Sequence, residues 1–302
     1  MAIWGIDLGG TKIEGAVLES AQSPEVLIRQ RIATEAEQGY EHVLGQIKKL
    51  VQILESEVGH YPDKIGIGTP GSTDPSTGLL KNCNSQHLNG KPFRDDIQQT
   101  LGIPVALAND ANCFALAETK MGVVQDIAPD AEVVFGVIMG TGVGGGLVVN
   151  GKVINGRQGI GGEWGHSFLD ASGGKCYCGD TGCVERILAG PALERFYQDI
   201  SGVEVTLKEI YHRYTSGRSD DFAVKTMLRL THFFGLGIAN LVNIIDPDVI
   251  VIGGGVGNID LLYSDGLQEV RKHVFNPTFS TPIVKPKLGD SAGVFGAAFL
   301  VA

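Results

Sequence analysis

Asp7-Leu8-Gly9-Gly10-Thr11-Lys12 follows a short apolar run over residues 2–7 and precedes two more runs rich in Ile, Val and Leu, at residues 12–19 and 26–34. Short runs of β-branched residues that are separated by glycine turns are typical of strands. The stretch therefore predicts a three-stranded meander. Its first turn holds a carboxylate, two glycines, a hydroxyl and an ammonium group.

This turn has the chemistry of a phosphate-binding loop. The backbone at Gly9 and Gly10 can approach phosphates closely because it carries no side chain. Thr11 and Lys12 can donate hydrogen bonds to phosphate oxygens, and Asp7 can hold Mg²⁺ or its water. If the motif stood alone, a simple hairpin turn would be the preferred interpretation.

A second glycine turn follows a strand predicted at residues 133–139. Gly140-Thr141-Gly142-Val143-Gly144-Gly145-Gly146 has five glycines among seven residues and a hydroxyl at its tip. Two such hairpins, one in each half of the chain, can grip a triphosphate between two domains. The turn also matches G-x-G-x-x-G, and residues 146–152 match G-x-x-x-x-G-K, but both fingerprints must open a helix, whereas a strand is predicted here. Both are rejected.

The remaining pattern alternates strands and helices, and the order of the first half recurs in the second. Helices are predicted at residues 39–59, 112–121 and 220–245, and further strands at 64–68, 104–108, 146–150, 152–155 and 249–252. The last strand enters Gly253-Gly254-Gly255 as a buried strand enters a nucleotide loop. We expect an α/β protein with a small domain, residues 1–118 plus 290–302, and a large domain, residues 119–289.

Composition narrows the class of protein. Hydrophobic residues make up 43% of the 302 residues and the net charge is -10, without a Lys/Arg cluster. These values exclude a disordered chain and argue against nucleic-acid binding. The chain shows no charged leader and no uninterrupted run of eighteen apolar residues, so we expect a cytoplasmic protein with no membrane partner.

Four soft ligands lie within eighteen positions, in the order H-x9-C-x-C-x4-C: His166, Cys176, Cys178 and Cys183. Four nitrogen and sulfur ligands with no spare position fit a closed, structural Zn²⁺ site. The alternatives are a disulfide or buried free thiols. The two other cysteines, Cys83 and Cys113, stand alone and are expected to be packing residues.

Asn109-Asp110-Ala111-Asn112 ends a predicted strand and begins a helix. Asp110 can therefore be merely a helix N-cap, and in isolation this is the better interpretation. However, the C-terminal end of a buried strand is where α/β folds present side chains to ligands, and a carboxylate there can take a proton from a hydroxyl. The predicted metal loop brings two more carboxylates, Glu163 and Glu185, for which a solvated surface position is the alternative.

The chain resembles the ROK family of bacterial sugar kinases, repressors and uncharacterised proteins over nearly its whole length. The resemblance lies in residues 7–12, in Glu163-Trp164-Gly165-His166, and in residues 176–185, which contain the family's complete zinc signature. Within the family it looks most like the fructokinase/mannokinase type. The supporting stretches are Gly71-Ser72, Lys81-Asn82-Cys83-Asn84-Ser85, Leu88-Asn89-Gly90, residues 161–166 and residues 289–294. N-acetylglucosamine kinases share residues 109–116.

The resemblance implies a two-domain, actin-like (RNase-H-like) ATPase fold with mixed sheets and a zinc insertion at residues 166–183. It implies ATP- and Mg²⁺-dependent phosphorylation of a hexose 6-hydroxyl, with fructose preferred, and a homodimer. N-acetylglucosamine kinase and glucokinase are the alternatives. Asp110 would be the general base, and sugar would bind Gly71, Asn84, Asn109, Asp110, Glu163, His166 and Glu185. His166 would use one ring nitrogen for zinc and the other for a hydroxyl. Phosphate, Mg²⁺ and nucleotide would bind Asp7, Gly9, Gly10, Thr11, Lys12, Thr141, Gly142, Gly254 and Gly255.

A second class of function is a transcriptional repressor, because part of the family carries an N-terminal helix-turn-helix. The first strand begins at Ile3, so we expect no such segment here. A third class is a sugar sensor without catalysis, which would ordinarily have lost the base, whereas Asp110 is present.

Overall fold

The computed structural model describes residues 1–216 and 220–302. The strands are β1 (Ile3–Leu8), β2 (Lys12–Leu18), β3 (Val26–Ala33), β4 (Ile65–Thr69), β5 (Ser72–Thr73), β6 (Leu80–Lys81), β7 (Val105–Asn109), β8 (Val133–Met139), β9 (Val143–Val149), β10 (Lys152–Val153), β11 (Val249–Gly253) and β12 (Ile283–Val284). The helices are α1 (Tyr40–Val58), α2 (Phe93–Leu101), α3 (Asp110–Lys120), α4 (Val123–Ile127), α5 (Glu185–Leu188), α6 (Gly190–Ser201), α7 (Leu207–Thr215), α8 (Asp221–Ile245), α9 (Gly254–Gly257), α10 (Asp265–His273) and α11 (Ala292–Phe299).

The chain divides into two compact units. The first contains residues 1–132, 146–162 and 287–302, and the second contains residues 133–145 and 163–286. The α/β class with mixed sheets is confirmed, because both sheets combine parallel and antiparallel pairs. The domain boundaries at residues 118 and 289 stay a prediction.

The first unit is built on a five-stranded sheet with the order β3-β2-β1-β4-β7. The first three strands form the expected antiparallel meander, and β4 and β7 add to it in parallel. Helix α1 buries one face, through Val43, Leu44, Ile47, Leu50, Val51 and Leu54, as the helical spacing predicts. It ends at Gly59, whose left-handed φ of 79° suits glycine.

Helix α11 packs unusually close to the first unit's sheet and to α3. A Cβ atom at Gly66 would lie 1.8 Å from the carbonyl oxygen of Ala297, and one at Gly296 would lie 1.7 Å from that of Cys113. Both distances are far below van der Waals contact, so these glycines permit backbones to touch. Close backbone approach is therefore one reason for the high glycine content.

The second unit places β8 and β11 side by side in parallel, with β12 parallel to β11. These three strands belong to a five-stranded sheet with the order β10-β9-β8-β11-β12. The long helix α8 of the second unit packs on α10 and α6. It ends at Asp246, which adopts a left-handed φ of 49° before Pro247. By length and composition alone α8 is apolar enough to cross a membrane, and 50% of its most apolar stretch is buried inside the structure.

Three of the differences between the observed and the predicted elements concern short strands. Strand β9 begins at Val143, inside the predicted glycine turn, and none of its three glycines adopts the positive φ that a turn would require. Strand β10 ends at Val153, two residues before the predicted end. The short hairpin of β5 and β6 was not predicted, since two-residue strands carry no measurable periodicity.

Candidate active site

In the first unit, three parallel strands end at one edge of the sheet. Asp7 of β1 lies beside Gly68 of β4, and Thr69 at the end of β4 lies beside Asn109 at the end of β7. Asp110 follows directly as the first residue of α3. The carboxyl ends of parallel strands are the usual ligand-binding edge of an α/β sheet. The register thus brings together two aspartates, 7 and 110, that are a hundred residues apart in sequence.

The local hydrogen bonds separate the roles of Asn109 and Asp110. Asn109 is the N-cap of α3, because its Oδ1 accepts a hydrogen bond from the Asn112 amide at 2.8 Å. Asp110 Oδ1 accepts one from the Ala111 amide at 2.8 Å, and apart from an interaction with its own backbone amide the carboxylate accepts no bond from any other described residue. Asp110 is therefore not the N-cap, and one of its oxygens is available to a ligand.

Both carboxyl groups hold protons more tightly than free aspartate does. Burial, and then the charges of Asp110 and Glu14, raise the pKa of Asp7 to about 6, while Lys12 and Arg31 oppose the rise. Although Asp110 is solvent-accessible, the protein atoms crowded around it displace water and raise its pKa, against the effect of backbone hydrogen bonds. A carboxylate with a raised pKa is a better proton acceptor.

The predicted phosphate hairpin joins β1 to β2, and its tip faces solvent. The amide of Gly9 donates to the Lys12 carbonyl at 3.1 Å, and Thr34 anchors the turn by donating to the Gly9 carbonyl at 2.7 Å. Gly10, Thr11 and Lys12 are exposed. Their backbone and side chains are therefore accessible to an anion.

An ionic cluster that the sequence reasoning missed lies behind this hairpin. The buried carboxylate of Glu14 on β2, 2% exposed, pairs with the exposed side chains of Arg31 at 2.8 Å and Arg29 at 3.4 Å, both on β3. Ser291 donates to Glu14 at 3.1 Å. The acidic residue within the apolar run of β2 was the signal that sequence offered. Arg31 lowers the pKa of Asp7, but the negative charge of Glu14 raises it by more.

Gly71 and Asn84 occupy different environments in the first unit. Gly71 is buried, and a Cβ there would lie 2.5 Å from Cys83 Sγ. A larger residue would clash with residues 81–83, so this position requires glycine. Asn84 is exposed beside Ser85, whose hydroxyl lies 3.6 Å from a Cβ position at Gly10. Of the two, only Asn84 presents a side chain to solvent. Both stay predicted sugar ligands.

In the second unit, the turn Glu163-Trp164-Gly165-His166 packs directly on the start of β9. A Cβ atom at Gly165 would lie 1.9 Å from the carbonyl oxygen of Val143. Trp164 is buried against Gly237 of α8, which anchors the turn from the other side. The position of Glu163 and His166 is therefore fixed by tight packing of the two residues between them.

Glu185 is held against the second glycine hairpin. Its Oε2 accepts a hydrogen bond from the Val143 amide at 3.0 Å, and it would lie 2.6 Å from a Cβ at Gly142. An antiparallel β-bridge joins Phe168 to Cys183. Two residues away from it on each segment, it brings His166 and Glu185 opposite each other. Thr141 at the hairpin tip is exposed. The second unit thus brings Glu163, His166 and Glu185 to one end of β9.

Gly254 and Gly255 follow β11 at the carboxyl end of its parallel pair with β8. Gly254 has a φ of 82°, and a Cβ there would lie 2.3 Å from the Met139 carbonyl oxygen, so only glycine fits. Gly255 is exposed, and a Cβ there would meet nothing within 4 Å. Backbone without a side chain is therefore open to solvent at this strand end.

The four predicted metal ligands converge in the second unit. Cys176 Sγ lies 3.7 Å from His166 Nδ1, Cys178 Sγ lies 3.6 Å from Cys183 Sγ, and all four ligand atoms lie within 4.8 Å of one another. A tetrahedral ion with Zn–S bonds of about 2.3 Å separates its sulfur ligands by about 3.8 Å. The donor set therefore fits a four-coordinate zinc ion. Cys83 and Cys113 are buried away from it, as predicted.

Tyr177 is a further residue that the sequence reasoning missed. Its hydroxyl oxygen lies 2.9 Å from His166 Nε2, the nitrogen predicted to face a sugar hydroxyl. The tyrosine ring is 74% exposed and meets the His166 ring edge-to-face. A hydroxyl thus occupies the position that a sugar hydroxyl would need. Its place between Cys176 and Cys178 was the only signal.

Comparison with known proteins finds relatives that match nearly the whole chain. A model of the ROK family matches residues 3–302. The chain is 37% identical to the N-acetyl-D-glucosamine kinase of Vibrio cholerae serotype O1 over an alignment of 308 positions that covers 98% of each chain. It is similar to the ROK hexokinase of Thermus thermophilus, with a TM-score of 0.89 and 34% identity over 99% of this chain and 97% of that one. A ROK family glucokinase from Streptomyces griseus, solved with glucose and AMPPNP, matches at TM-score 0.77 and 28% identity over 99% of each.

Proposed function

Because this chain belongs to the ROK family, we propose that it is an ATP-dependent sugar kinase that phosphorylates the 6-hydroxyl of a hexose. The observation that carries the proposal is the pair of aspartates at the carboxyl ends of β1 and β7, one of which keeps an oxygen available. The solved ROK enzymes named above support the fold and the reaction class.

Asp110 is the general base in this proposal. Its Oδ2 accepts the proton of the sugar hydroxyl while the oxygen attacks the γ-phosphorus of ATP; the new O–P bond forms as the bond to ADP breaks. The Ala111 amide holds Oδ1 and so fixes the orientation of the carboxylate. Asn109 caps the helix through Oδ1, which leaves its amide nitrogen to donate to a sugar hydroxyl.

The two glycine hairpins bind the phosphates in this proposal. Phosphoryl transfer depends on in-line positioning and on neutralised phosphate charge more than on covalent chemistry. The exposed tip of residues 10–12 offers amides, a hydroxyl and an ammonium group, and Thr141 and Gly142 offer the same kind of donors in the second unit. Asp7 supplies a carboxylate for Mg²⁺, which neutralises phosphate charge when bound. Gly254 and Gly255 provide bare backbone for the adenosine.

Sugar recognition falls to Glu163, His166 and Glu185 in the second unit and to Asn84, Gly71 and Asn109 in the first. Tyr177 supports the assignment of His166, since its hydroxyl already bonds the nitrogen that faces away from the thiols. We infer that a sugar hydroxyl replaces that of Tyr177 on binding.

The thiol cluster holds a structural zinc ion in this proposal. Zinc bound by His166, Cys176, Cys178 and Cys183 would fix the loop that carries His166 and Glu185. It would also fix the ring orientation of His166, whose Nδ1 faces the thiols.

Replacement of Cys178 by Ser is expected to abolish zinc retention and to raise the KM for sugar more than the KM for ATP. The thiolate ligand is lost, so the loop of His166 and Glu185 is no longer held, whereas the first unit's hairpin is untouched. Elemental analysis of purified protein should find one zinc per chain in the wild type and far less in the variant. Cys83→Ser is the matched control for zinc content, since that thiol lies outside the cluster. A wild-type protein free of zinc would disprove the metal assignment.

N-acetylglucosamine is the favoured substrate. The relatives at 35 to 37% identity are N-acetyl-D-glucosamine kinases, which supports the alternative over the predicted fructokinase activity. Fructose, mannose and glucose differ from N-acetylglucosamine in lacking the acetamido group. A site built to bond that group leaves polar atoms unpaired when another hexose binds, so discrimination is expected to be strong.

A coupled assay of ADP release with ATP and Mg²⁺ tests the proposed function. We expect kcat/KM for N-acetylglucosamine to exceed that for fructose, mannose and glucose by at least about tenfold. Higher efficiency with fructose would restore the fructokinase assignment. If no hexose releases ADP above the rate of ATP hydrolysis in its absence, the kinase proposal is wrong. A cytoplasmic location and a homodimer stay predictions.

A further inference from the structure

A second group of metal-binding side chains lies on the surface of the second unit, where α8 crosses α10. His232 is on α8, and Glu269 and His273 are on α10. One ligand atom from each lies within 4.8 Å of the other two, and His232 Nδ1 is 3.9 Å from Glu269 Oε2. None of these residues belongs to the proposed kinase site or to the thiol cluster.

The helix crossing explains why the three side chains meet. Glu269 and His273 are four residues apart, so they project from the same face of α10. On α8, Gly235 lies one turn after His232, and a Cβ there would lie 2.4 Å from Glu269 Cβ. Only glycine allows the helices to approach this closely, and the approach places Glu269 against His232.

The backbone of the third ligand is also held in place. Asn243, near the end of α8, donates from Nδ2 to the His273 carbonyl at 3.2 Å and accepts at Oδ1 from the Phe275 amide at 2.8 Å. These two bonds fasten the end of α10 to α8. The ring centroids of His232 and His273 lie 6.3 Å apart, with a nitrogen of each ring within 4.8 Å of the other.

Charged side chains near the three ligands bear on a cation at this position. Lys272 pairs with Glu269 Oε1 and competes with a cation for that carboxylate, but it leaves Oε2 facing His232. Asp170 lies near enough to His232 for their charges to interact and favours a cation, although Arg229 interacts with Asp170 more strongly and offsets part of this attraction. Lys272 is 61% exposed, so its ammonium group can move into solvent when a cation binds.

We propose that His232, Glu269 and His273 bind a divalent transition-metal cation that joins α8 to α10. Two imidazoles and one carboxylate suit Zn²⁺, Co²⁺, Ni²⁺ and Cu²⁺, whereas Mg²⁺ and Ca²⁺ prefer sites made of oxygen ligands alone. Three protein ligands leave coordination positions for water. Because the cation binds only where the helices cross, it stabilises the folded second unit.

Cobalt distinguishes this site from the thiol cluster. Thiolate ligands give bound Co²⁺ an intense ultraviolet charge-transfer band that imidazole and carboxylate ligands do not give. The purified full-length chain, without chelator treatment, is dialysed against Co²⁺ and the bound ion is counted. We expect one Co²⁺ per chain that adds no thiolate band, together with a rise in Tm. Mg²⁺ at the same concentration should cause neither.

Four variants make the test specific. His232→Ala and His273→Ala should each weaken this Co²⁺ binding at least about tenfold and remove the rise in Tm. His212→Ala, which removes an exposed histidine of α7, should leave both unchanged. Lys272→Ala should tighten binding severalfold, because it frees Glu269 Oε1 and removes a positive charge. A Tm in the absence of metal that equals the wild-type value shows that a variant is folded.

The proposal is overturned if the wild type binds no Co²⁺ beyond that seen in the thiolate band. It is equally overturned if His232→Ala and His273→Ala, folded by their Tm, bind this Co²⁺ as the wild type does. Neither result bears on kinase activity or on zinc at the thiol cluster, so failure here is separate from failure of the proposed function.

Discussion

Replacement of Asp110 by Asn is expected to lower kcat about 10²- to 10⁴-fold and to leave sugar affinity near the wild-type value. The amide keeps the size of the side chain and its acceptor oxygen for the Ala111 amide, so the start of α3 is preserved. It cannot take up a proton, so only proton transfer is lost. The measurement is steady-state ADP release, with sugar binding followed by calorimetry.

The pH profile gives a second readout for the same residue. The pKa of Asp110 is raised by the protein around it, and a base must be deprotonated to act. Activity of the wild type should therefore fall as pH decreases through that raised pKa. This acid limb should be absent from the residual activity of Asp110→Asn. An unchanged acid limb would assign it to another group, with Asp7 and its pKa of about 6 as the first alternative.

Asp130→Asn is the matched control, because Asp130 is an exposed aspartate of the same unit that lies far along the chain from the strand ends. Its kcat and pH profile should equal those of the wild type. Near-normal turnover in Asp110→Asn would mean that the general base lies elsewhere and that Asp110 serves only the helix start.

Replacement of Gly165 by Ala is expected to destabilise the second unit by about 1–3 kcal/mol and to raise the KM for sugar more than tenfold. The added methyl group would stand 1.9 Å from the Val143 carbonyl oxygen, and a backbone atom in a sheet cannot move aside cheaply. The turn must shift, and with it Glu163 and His166. Gly165 has no side chain that could bind sugar. A higher KM for sugar in Gly165→Ala would therefore show that packing of the turn positions Glu163 and His166.

The two tryptophans of the chain allow the stability change to be assigned to one unit. Trp4 lies in the first unit and Trp164 in the second, so a Trp4→Phe background leaves Trp164 to report urea unfolding of the second unit. The comparison uses the free energy of unfolding of the second unit alone, because the two units need not unfold together.

Gly202→Ala separates a general loss of stability from displacement of the turn. Gly202 ends α6 with a φ of 72°, and a Cβ there would meet nothing within 4 Å. The substitution costs about 1–2 kcal/mol through backbone conformation alone. It should lower stability comparably and leave the KM for sugar unchanged. If both variants raise KM equally, the effect of Gly165→Ala is only one of stability.

Much of the fold was predictable because its signals are local. A strand buried on both faces, such as β11, is a run of apolar residues, and an amphipathic helix such as α1 repeats every three to four positions. The thiol cluster was equally accessible, since three of its four ligands lie within eight residues and two glycines provide the turns between them. Such features depend on residues that are close in sequence, so they can be inferred from the residue types alone.

The pairing of distant groups was decided by the tertiary structure. The parallel register of β1, β4 and β7 places Asp7 and Asp110 at one sheet edge, and no local pattern specifies that register. Likewise the composition of residues 109–112 allowed either Asn109 or Asp110 to cap α3. The backbone conformation at the strand end chose Asn109.

The α/β class, the family, and the residue types available for phosphate, sugar and metal could all be inferred from the amino-acid order. The contacts of Tyr177 with His166, of Glu185 with the hairpin at Val143, and of His232 with Glu269 and His273 could not, because they form only when the chain has folded. They result from competition between possible partners. A hydrogen-bonding or charged side chain takes the best partner within a few ångströms, and the backbone packing of remote glycines such as Gly235 determines which partners come that close.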